Sequence, residues 1–416
     1  MRARTAPVEA RRAEGPLPAR RAGPAEAAAP SARGAPRRPR GPAVPRGSAR
    51  ERRTVSARGG GRPRSPSRPP EAGGFTRMKA AVIPEVNAPW EIREVATPRP
   101  GPGQVLLKVH ACGLCHNDLW TAQGVFPFPS CDPAITGHEA AGEVVEVGPG
   151  TTSRQVGDRV GTTWVQATCG RCSSCRGNPP LTGSSGMTCA APVMTGLNVQ
   201  GGHAEYLCVA AASTVLLPDG LDYVTAAPVL CAGYTAWSAL RASEPQPHER
   251  IAVLGIGGLG HMALQYARAS GFETVALTRS PDKHALAAKL GADLVVRDGE
   301  ELREAGGADV VLVTGTSYEA ATDALRGLRV GGRVVLATID PVGSFRIGPN
   351  APTFWARGQR VLGASHDGLG YLTEALDLVA RGEVTPMTEV FPMERITDAV
   401  DKAARGEVRF RAVVTY

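Results

Sequence analysis

The sequence predicts an α/β protein: a barrel-like region of short strands followed by a parallel sheet flanked by helices. Three observations carry this. Between residues 78 and 230, strand-length apolar runs alternate with Gly/Pro turns, as in Val105–Val109 (VLLKV), Gly142–Val147 (GEVVEV) and Ala204–Val209 (AEYLCV). From Ile251 onward, short apolar strands alternate with helix-period stretches, the pattern of βαβ units. At the first strand-to-helix junction stands Gly255-Ile256-Gly257-Gly258-Leu259-Gly260.

Residues 1–77 precede both regions. They hold nineteen Arg, no Lys, five Glu and no Asp, so they carry +14 of a chain total of +8, and the remainder carries −6. With almost no aromatic or branched apolar residues, the segment cannot bury enough surface to offset the entropy of ordering, and disorder is expected. Three origins stay open: an untranslated stretch ahead of a start at Met78, a flexible basic tail that touches anionic surfaces, or an organelle transit peptide. Thirteen prolines oppose the amphipathic helix of the last. No aromatic residues interleave with the arginines, so nucleic acid is not an expected partner. No apolar run reaches the roughly 18 residues of a membrane span. Nine cysteines, four of them closely spaced, fit metal sites in a reducing compartment better than a disulfide framework, and a cytoplasmic location is expected.

Within 78–230, Cys169, Cys172 and Cys175 follow one another at two-residue gaps, with Cys189 beyond. Four thiolates closing a tetrahedron, with no open position, make a structural zinc site. A second set is scattered. Cys115 lies in Gly-Leu-Cys-His-Asn-Asp, His138 in Gly-His-Glu and Cys231 in Leu-Cys-Ala-Gly. Spacing does not join these three. As chemistry, two thiolates and one imidazole leave a fourth zinc position open.

After the strand Ile251–Leu254, the glycine turn opens a helix over His261–Ser270. Gly255 suits the tight turn, Gly257 and Gly258 a close approach to a pyrophosphate, Leu259 the entry to the helix, and Gly260 close packing of helix on strand. The helix N-terminus favours phosphate. A strand Thr274–Leu277 and a helix near Lys283–Leu290 follow, then strands Val310–Val313 and Val334–Ala337. An NAD site needs Asp or Glu at the end of the second strand. This chain has Thr278, Arg279 and Ser280 there, with Lys283 beyond and no acid before Asp282. Hydroxyl donors and cations suit a 2′-phosphate, so NADP(H) is favoured over NAD(H). The last fifty residues read as one helix near Leu372–Ala380 and a closing strand Ala412–Tyr416.

Together these motifs resemble the zinc-containing alcohol dehydrogenases of the medium-chain dehydrogenase/reductase superfamily, over essentially all of 78–416. The resemblance implies a GroES-like catalytic domain over 78–230, a Rossmann domain over 231–364, and a segment 365–416 completing the first. It implies hydride transfer between a nicotinamide and a small alcohol or aldehyde, with one catalytic and one structural zinc per subunit, in a homodimer or homotetramer. It assigns the catalytic zinc to Cys115, His138 and Cys231. Glu139 becomes a close neighbour that can bind the metal transiently, Asp118 the acceptor that orients His138, and Trp164 a wall of the substrate pocket. Three departures stand out. Thirteen residues, Arg176 to Thr188, separate Cys175 from Cys189, where the family usually has seven. Asn117 replaces the usual Ser or Thr of the proton relay, and Trp120 replaces its terminal His. Proton exit then uses water or His116, and preference shifts towards bulkier or aromatic groups or aldehyde reduction. A polyol dehydrogenase of the same superfamily, a zinc-free enone reductase and a binding protein without activity are the competing readings.

Of the remaining candidates, Cys112, Cys131 and Cys208 are expected as small buried side chains and His203 as structural. His261 is placed either at phosphate or on the surface, and His366 on the nicotinamide side of the cleft.

Overall fold

The computed structural model describes residues 77–348 and 351–416. The expected disordered leader therefore lies outside the described residues, except for Arg77, which opens the first strand. Nine strands, that one included, precede the parallel sheet. In order these are β1 (Arg77–Val82), β2 (Glu91–Ala96), β3 (Gln104–Leu114), β4 (Glu139–Val147), β5 (Arg159–Gly161), β6 (Val165–Ala167), β7 (Val193–Met194), β8 (Tyr206–Ala210) and β9 (Val215–Leu216). The parallel sheet is built from β10 (Arg250–Leu254), β11 (Glu273–Leu277), β12 (Leu294–Val296), β13 (Ala308–Val313), β14 (Leu328–Leu336) and β15 (Arg360–Gly363); β16 (Thr388–Pro392) and β17 (Arg411–Thr415) follow.

The six-stranded sheet runs β12-β11-β10-β13-β14-β15, parallel throughout. Its central strands are near-continuous apolar runs because both faces are covered. In β10, Ile251 and Val253 share a core with Leu240, Leu264 and Leu372, from the helices Ala232–Ala242, Gly260–Ala269 and Leu369–Ala380. Ala252 and Leu254 point the other way, into a core with Leu302, Ala321 and Ala324. Strand order reverses between β10 and β13, which opens a crevice at the strands' carboxyl ends, where the glycine turn sits.

The other large sheet runs β16-β17-β3-β4-β5-β9, with β8 also on β3. It is antiparallel except for the β16–β17 pair. The closing strand β17 thus returns to β3 in a pairing that spans some 300 residues, Ala412 facing Leu114. Two expectations need correction. The last fifty residues hold β16 and the helix Ile396–Ala404 in addition to one helix and one strand. Ile396, Ala399, Val400 and Ala403 mark that helix at i, i+3, i+4 and i+7, and they pack on a core with Leu119 and Phe391. The strand region also contains a helix, His116–Ala122, which carries Asn117, Asp118 and Trp120. Among the described residues no helix is long and apolar enough to cross a membrane.

Candidate active site

Three separate elements converge on one buried point. β3 ends at Leu114, and Cys115 then takes an extended conformation as N-cap of the helix His116–Ala122. His138 and Glu139 stand at the start of the neighbouring β4. Cys231 is the N-cap of the helix Ala232–Ala242. One ligand atom from each of Cys115, His138, Glu139 and Cys231 lies within 4.8 Å of the others, and all four residues are buried. The two sulfurs are 3.9 Å apart. Cys231 donating to Cys115 favours the thiolate at Cys115 and holds Cys231 protonated. His138 Nε2 and Glu139 Oε2 are buried with no hydrogen-bond partner. Two thiols, an imidazole nitrogen without a partner and an acid oxygen beside it fit a zinc ion with a position to spare.

The surroundings fix these groups. Asp118 Oδ2 accepts from the Cys115 N–H at 2.9 Å, which caps the helix, and Oδ1 accepts from the Gly137 N–H at 2.9 Å. His138 Nδ1 is 3.6 Å from the same carboxylate. Burial would raise the Asp118 pKa, but His138 and His203 outweigh it and hold the carboxyl well below its ordinary range. Glu139 pairs with Arg411 of β17, both buried. Burial still lifts the Glu139 carboxyl to about 7 against the pull of Arg411. Trp164 lies almost flat on His138, ring centres 5.3 Å apart. Trp120 is half-buried and edge-on to both exposed His116 and Phe126. Asn117, half-buried, sits between His116 and Asp118.

Cys169, Cys172, Cys175 and Cys189 form a second group within 4.8 Å. Backbone N–H groups point at the sulfurs, from Cys169 and Ala191 to Cys189 (3.2 and 3.4 Å) and from Cys175 to Cys172 (3.4 Å). Such donors favour thiolates, and those of Ala190 and Cys175 bring the Cys172 thiol down to about 6. The donor set fits a closed tetrahedral zinc site. Despite the long gap, Cys189 closes the group. The thirteen-residue segment between Cys175 and Cys189 docks on the segment after β15, with Thr182 Oγ1 donating to Asp367 Oδ1 (2.6 Å) and the Ser184 N–H to His366 O (3.0 Å). Beside it, a cavity of about 270 Å³ is lined by Thr163, Val165, Leu181, Gly183, Tyr234 and His366 among others.

In the crevice, Gly255 has φ +91° and accommodates the turn. Gly260 places its Cα so close to Gly255 O that a Cβ would stand 2.0 Å from it, whereas a Cβ on Gly257 would meet nothing within 4 Å. Leu259 caps the helix, and Gly258 faces Arg411, whose Cδ would be 3.1 Å from a Cβ there. β11 ends at Leu277. Thr278 is buried and accepts from the Ser280 N–H at 3.3 Å, while Arg279 is exposed. Asp282 pairs with Arg409 at 3.0 Å, and Lys283 Nζ lies 6.0 Å from the Phe410 ring centre.

His261 is neither on the surface nor free for phosphate. It is fully buried, with Nδ1 3.0 Å from Gly257 O and Nε2 accepting from the Met387 N–H at 3.1 Å. Cys112 is buried as expected, but Cys131 and Cys208 are only half-buried. His366 is buried, stacked on Tyr234 and 3.2 Å from Cys231 O. Sequence reasoning missed Arg411. Its signal was an arginine opening the otherwise apolar closing strand Arg411–Thr415.

Comparison with known proteins agrees with this geometry. Residues 101–219 match the alcohol dehydrogenase GroES-like domain and residues 258–381 the zinc-binding dehydrogenase family. An alcohol dehydrogenase of Geobacillus stearothermophilus is 38% identical over 345 residues, covering 81% of this chain and 99% of the relative. CAD from Helicobacter pylori, solved with NADP(H), superposes with TM-score 0.72 at 25% identity, covering 82% of this chain and 98% of that one. Acetophenone reductase from Geotrichum candidum, solved in complex with NAD, gives TM-score 0.69 at 28% identity, over 82% and 98%. With a parallel sheet crossed by a glycine turn, a buried Cys/His set and these relatives, the chain belongs to the zinc-dependent alcohol dehydrogenases of the medium-chain dehydrogenase/reductase superfamily.

Proposed function

We propose that this alcohol dehydrogenase holds its catalytic zinc on Cys115, His138 and Cys231, a structural zinc on Cys169, Cys172, Cys175 and Cys189, and works with NADP(H) in preference to NAD(H). The observation that carries the reading is the buried convergence of Cys115, His138, Glu139 and Cys231 with His138 Nε2 unpartnered. Zinc held there supplies a Lewis acid that polarises the oxygen of an alcohol or aldehyde. The chain's own residues do the rest. Asp118 orients the His138 imidazole, and Glu139, set against Arg411, is poised beside the open position. Asn117 offers an amide to the substrate oxygen, and the Trp164 and Trp120 rings favour aromatic or bulky groups over small aliphatic ones. Asn117 cannot shuttle a proton as a hydroxyl does, so the proton leaves by water towards exposed His116.

The dinucleotide lies across the crevice over Gly255, Gly257, Gly258, Leu259 and Gly260, with the 2′-phosphate towards Thr278, Arg279, Ser280 and Lys283. The exposed Arg279, and Asp282 engaged by Arg409, support that placement. Residues 78–230 with 365–416 form the catalytic domain and 231–364 the nucleotide domain. Among the described residues β15 is the outer edge of its sheet, and the apolar side chains Val330, Val342 and Trp355 are 75%, 94% and 85% exposed. A homodimer or homotetramer covers them. The small-molecule substrate and the cysteine usage fit a cytoplasmic enzyme.

The test is nicotinamide absorbance with the full chain, NADPH against NADH, over aliphatic and aromatic aldehydes, with and without a zinc chelator. The expected result is chelator-sensitive turnover with NADPH preferred by about tenfold or more, a preference that Arg279→Ala narrows, since one charged phosphate contact is worth about 1.5–3 kcal/mol. A preference for NADH overturns the cofactor assignment. Wild-type rates in Cys115→Ser overturn the zinc assignment.

A further inference from the structure

A buried polar chain runs behind the proposed catalytic metal set. Asp118 receives the Cys115 and Gly137 N–H groups on its two oxygens and faces His138 with Oδ1. Its Oδ2 also faces His203 Nε2, at 3.7 Å. His203 is 0% exposed, and Trp90 packs edge-on against its ring at 5.5 Å. Its other nitrogen, Nδ1, is 2.9 Å from Tyr416 Oη. The carboxylate opposite Nε2 favours the imidazole proton on that nitrogen, which leaves Nδ1 to accept from the Tyr416 hydroxyl, kept protonated by burial. Nε2 then carries the imidazole proton. That N–H is turned towards Asp118 Oδ2 at 3.7 Å, a long charge–dipole contact, and no closer acceptor stands among the described residues.

The backbone holds this arrangement rigid. The His203 N–H donates to Thr136 O (3.0 Å), the Gly202 N–H to Gly137 O (2.7 Å) and the Ala81 N–H to His203 O (2.8 Å). A Cβ on Gly137 would stand 2.7 Å from the His203 nitrogen. The loop that presents His138 and the loop that presents His203 therefore move as one body.

We propose that His203, its ring held between Asp118 and Tyr416, is a positioning residue for the catalytic metal: its Nε2–H, turned on Asp118 Oδ2 at 3.7 Å, joins the Cys115 and Gly137 N–H groups in fixing the carboxylate that orients His138. This rests on the reading of Cys115, His138 and Cys231 as zinc ligands. A residue that only fills space beneath Trp90 would be replaceable by another ring of similar size. A donor to Asp118 is replaceable only by another donor.

The experiment measures zinc release from the full-length, zinc-loaded protein to a colorimetric chelator. The two release phases are assigned with His138→Ala, which lacks the catalytic ion, and Cys172→Ser, which lacks the structural one. His203→Phe keeps the ring and its packing but removes the donor. It is expected to release the catalytic zinc about 10- to 100-fold faster, the usual effect of losing a partner behind a metal ligand, with the structural phase unchanged. His203→Gln, which can again donate to Asp118, restores most of the slow release, and Tyr416→Phe gives an intermediate rate. The cobalt-substituted His203→Phe protein shows a shifted visible spectrum. Wild-type release of the catalytic ion from His203→Phe, whatever its melting temperature, overturns the proposal, as does equal acceleration of both phases. If His138→Ala still holds two zinc ions, the ligand assignment itself fails. If it holds one and His203→Phe behaves as wild type, only the role of His203 fails.

Discussion

Two glycines three residues apart, Gly257 and Gly260, separate ligand binding from packing in the crevice. Gly260→Ala puts a methyl 2.0 Å from Gly255 O and 2.8 Å from Thr314 Oγ1, whereas real Cβ atoms keep to 3.0 Å or more. The helix Gly260–Ala269 must then withdraw by about 1 Å, and overpacking of this kind costs about 1–3 kcal/mol. Gly257→Ala meets nothing within 4 Å and needs no positive φ, so stability should hold to within about 0.5 kcal/mol. Its methyl instead occupies the space a pyrophosphate needs to reach the backbone. Losing one charge-assisted N–H···O bond costs about 1.5–3 kcal/mol, or about 10- to 150-fold in affinity. The assay is a fluorescence titration with NADPH beside a thermal melt of the zinc-loaded full chain. Gly257→Ala should bind weakly and melt normally, and Gly260→Ala should melt several degrees lower. Wild-type NADPH affinity in Gly257→Ala would refute the placement of the dinucleotide over this turn.

Two further outcomes follow from the cysteine lobe and from a buried ion pair. Cys189→Ser should lower the zinc content by about one ion per chain and leave Cys169–Cys175 open to protease, while an unchanged zinc content would remove Cys189 from the ligand set. Arg333 of β14, with its side chain 3% exposed, donates to both oxygens of Glu249 (2.7 and 2.6 Å) and to Ser243 O (2.6 Å). Arg333→Met leaves that carboxylate unpaired and should cost about 3–5 kcal/mol in urea unfolding; a loss under 1 kcal/mol would show the pair to be idle. Arg333 lowers the folded Glu249 pKa from 4.5, so this stabilisation is complete above 4.5 and is lost as pH falls through the folded value, a dependence the variant should lack.

What the sequence made legible was local. The glycine turn between β10 and its helix, the alternation of strand and helix after Ile251, and three cysteines at two-residue gaps are patterns within ten or twenty residues. The helix Ala232–Ala242 escaped notice because nine of its eleven residues are buried, which erases the one-sided periodicity that marks a surface helix. The helix Ile396–Ala404 has that periodicity and is legible in the sequence, whereas β16 is a five-residue strand ending in Pro392. Joining Cys115, His138 and Cys231 required the family resemblance, because their meeting depends on β3–β4 pairing and on a helix start 93 residues beyond His138. Arg411 opposite Glu139 and Tyr416 beside His203 depend on β17 returning to β3, a contact that no window of sequence contains.

The same long-range logic explains the insertion between Cys175 and Cys189. By spacing alone, thirteen residues where seven suffice weakened the case for a fourth ligand. In the fold, those residues bring Cys189 within ligand distance of the other three thiols and also reach Asp367 and His366. His366 in turn contacts the carbonyl of Cys231 and stacks on Tyr234, whose hydroxyl donates to Asp367 O. Leu181 and Gly183 of the insertion line the cavity that opens there. The lobe is therefore tied at one end by its own thiols and at the other to the segment that carries a direct neighbour of Cys231. An insertion that only loosened the lobe would be free on its far side. This one adds hydrogen bonds there, so the added length extends the wall beside the proposed metal site at no cost to the geometry of the four cysteines.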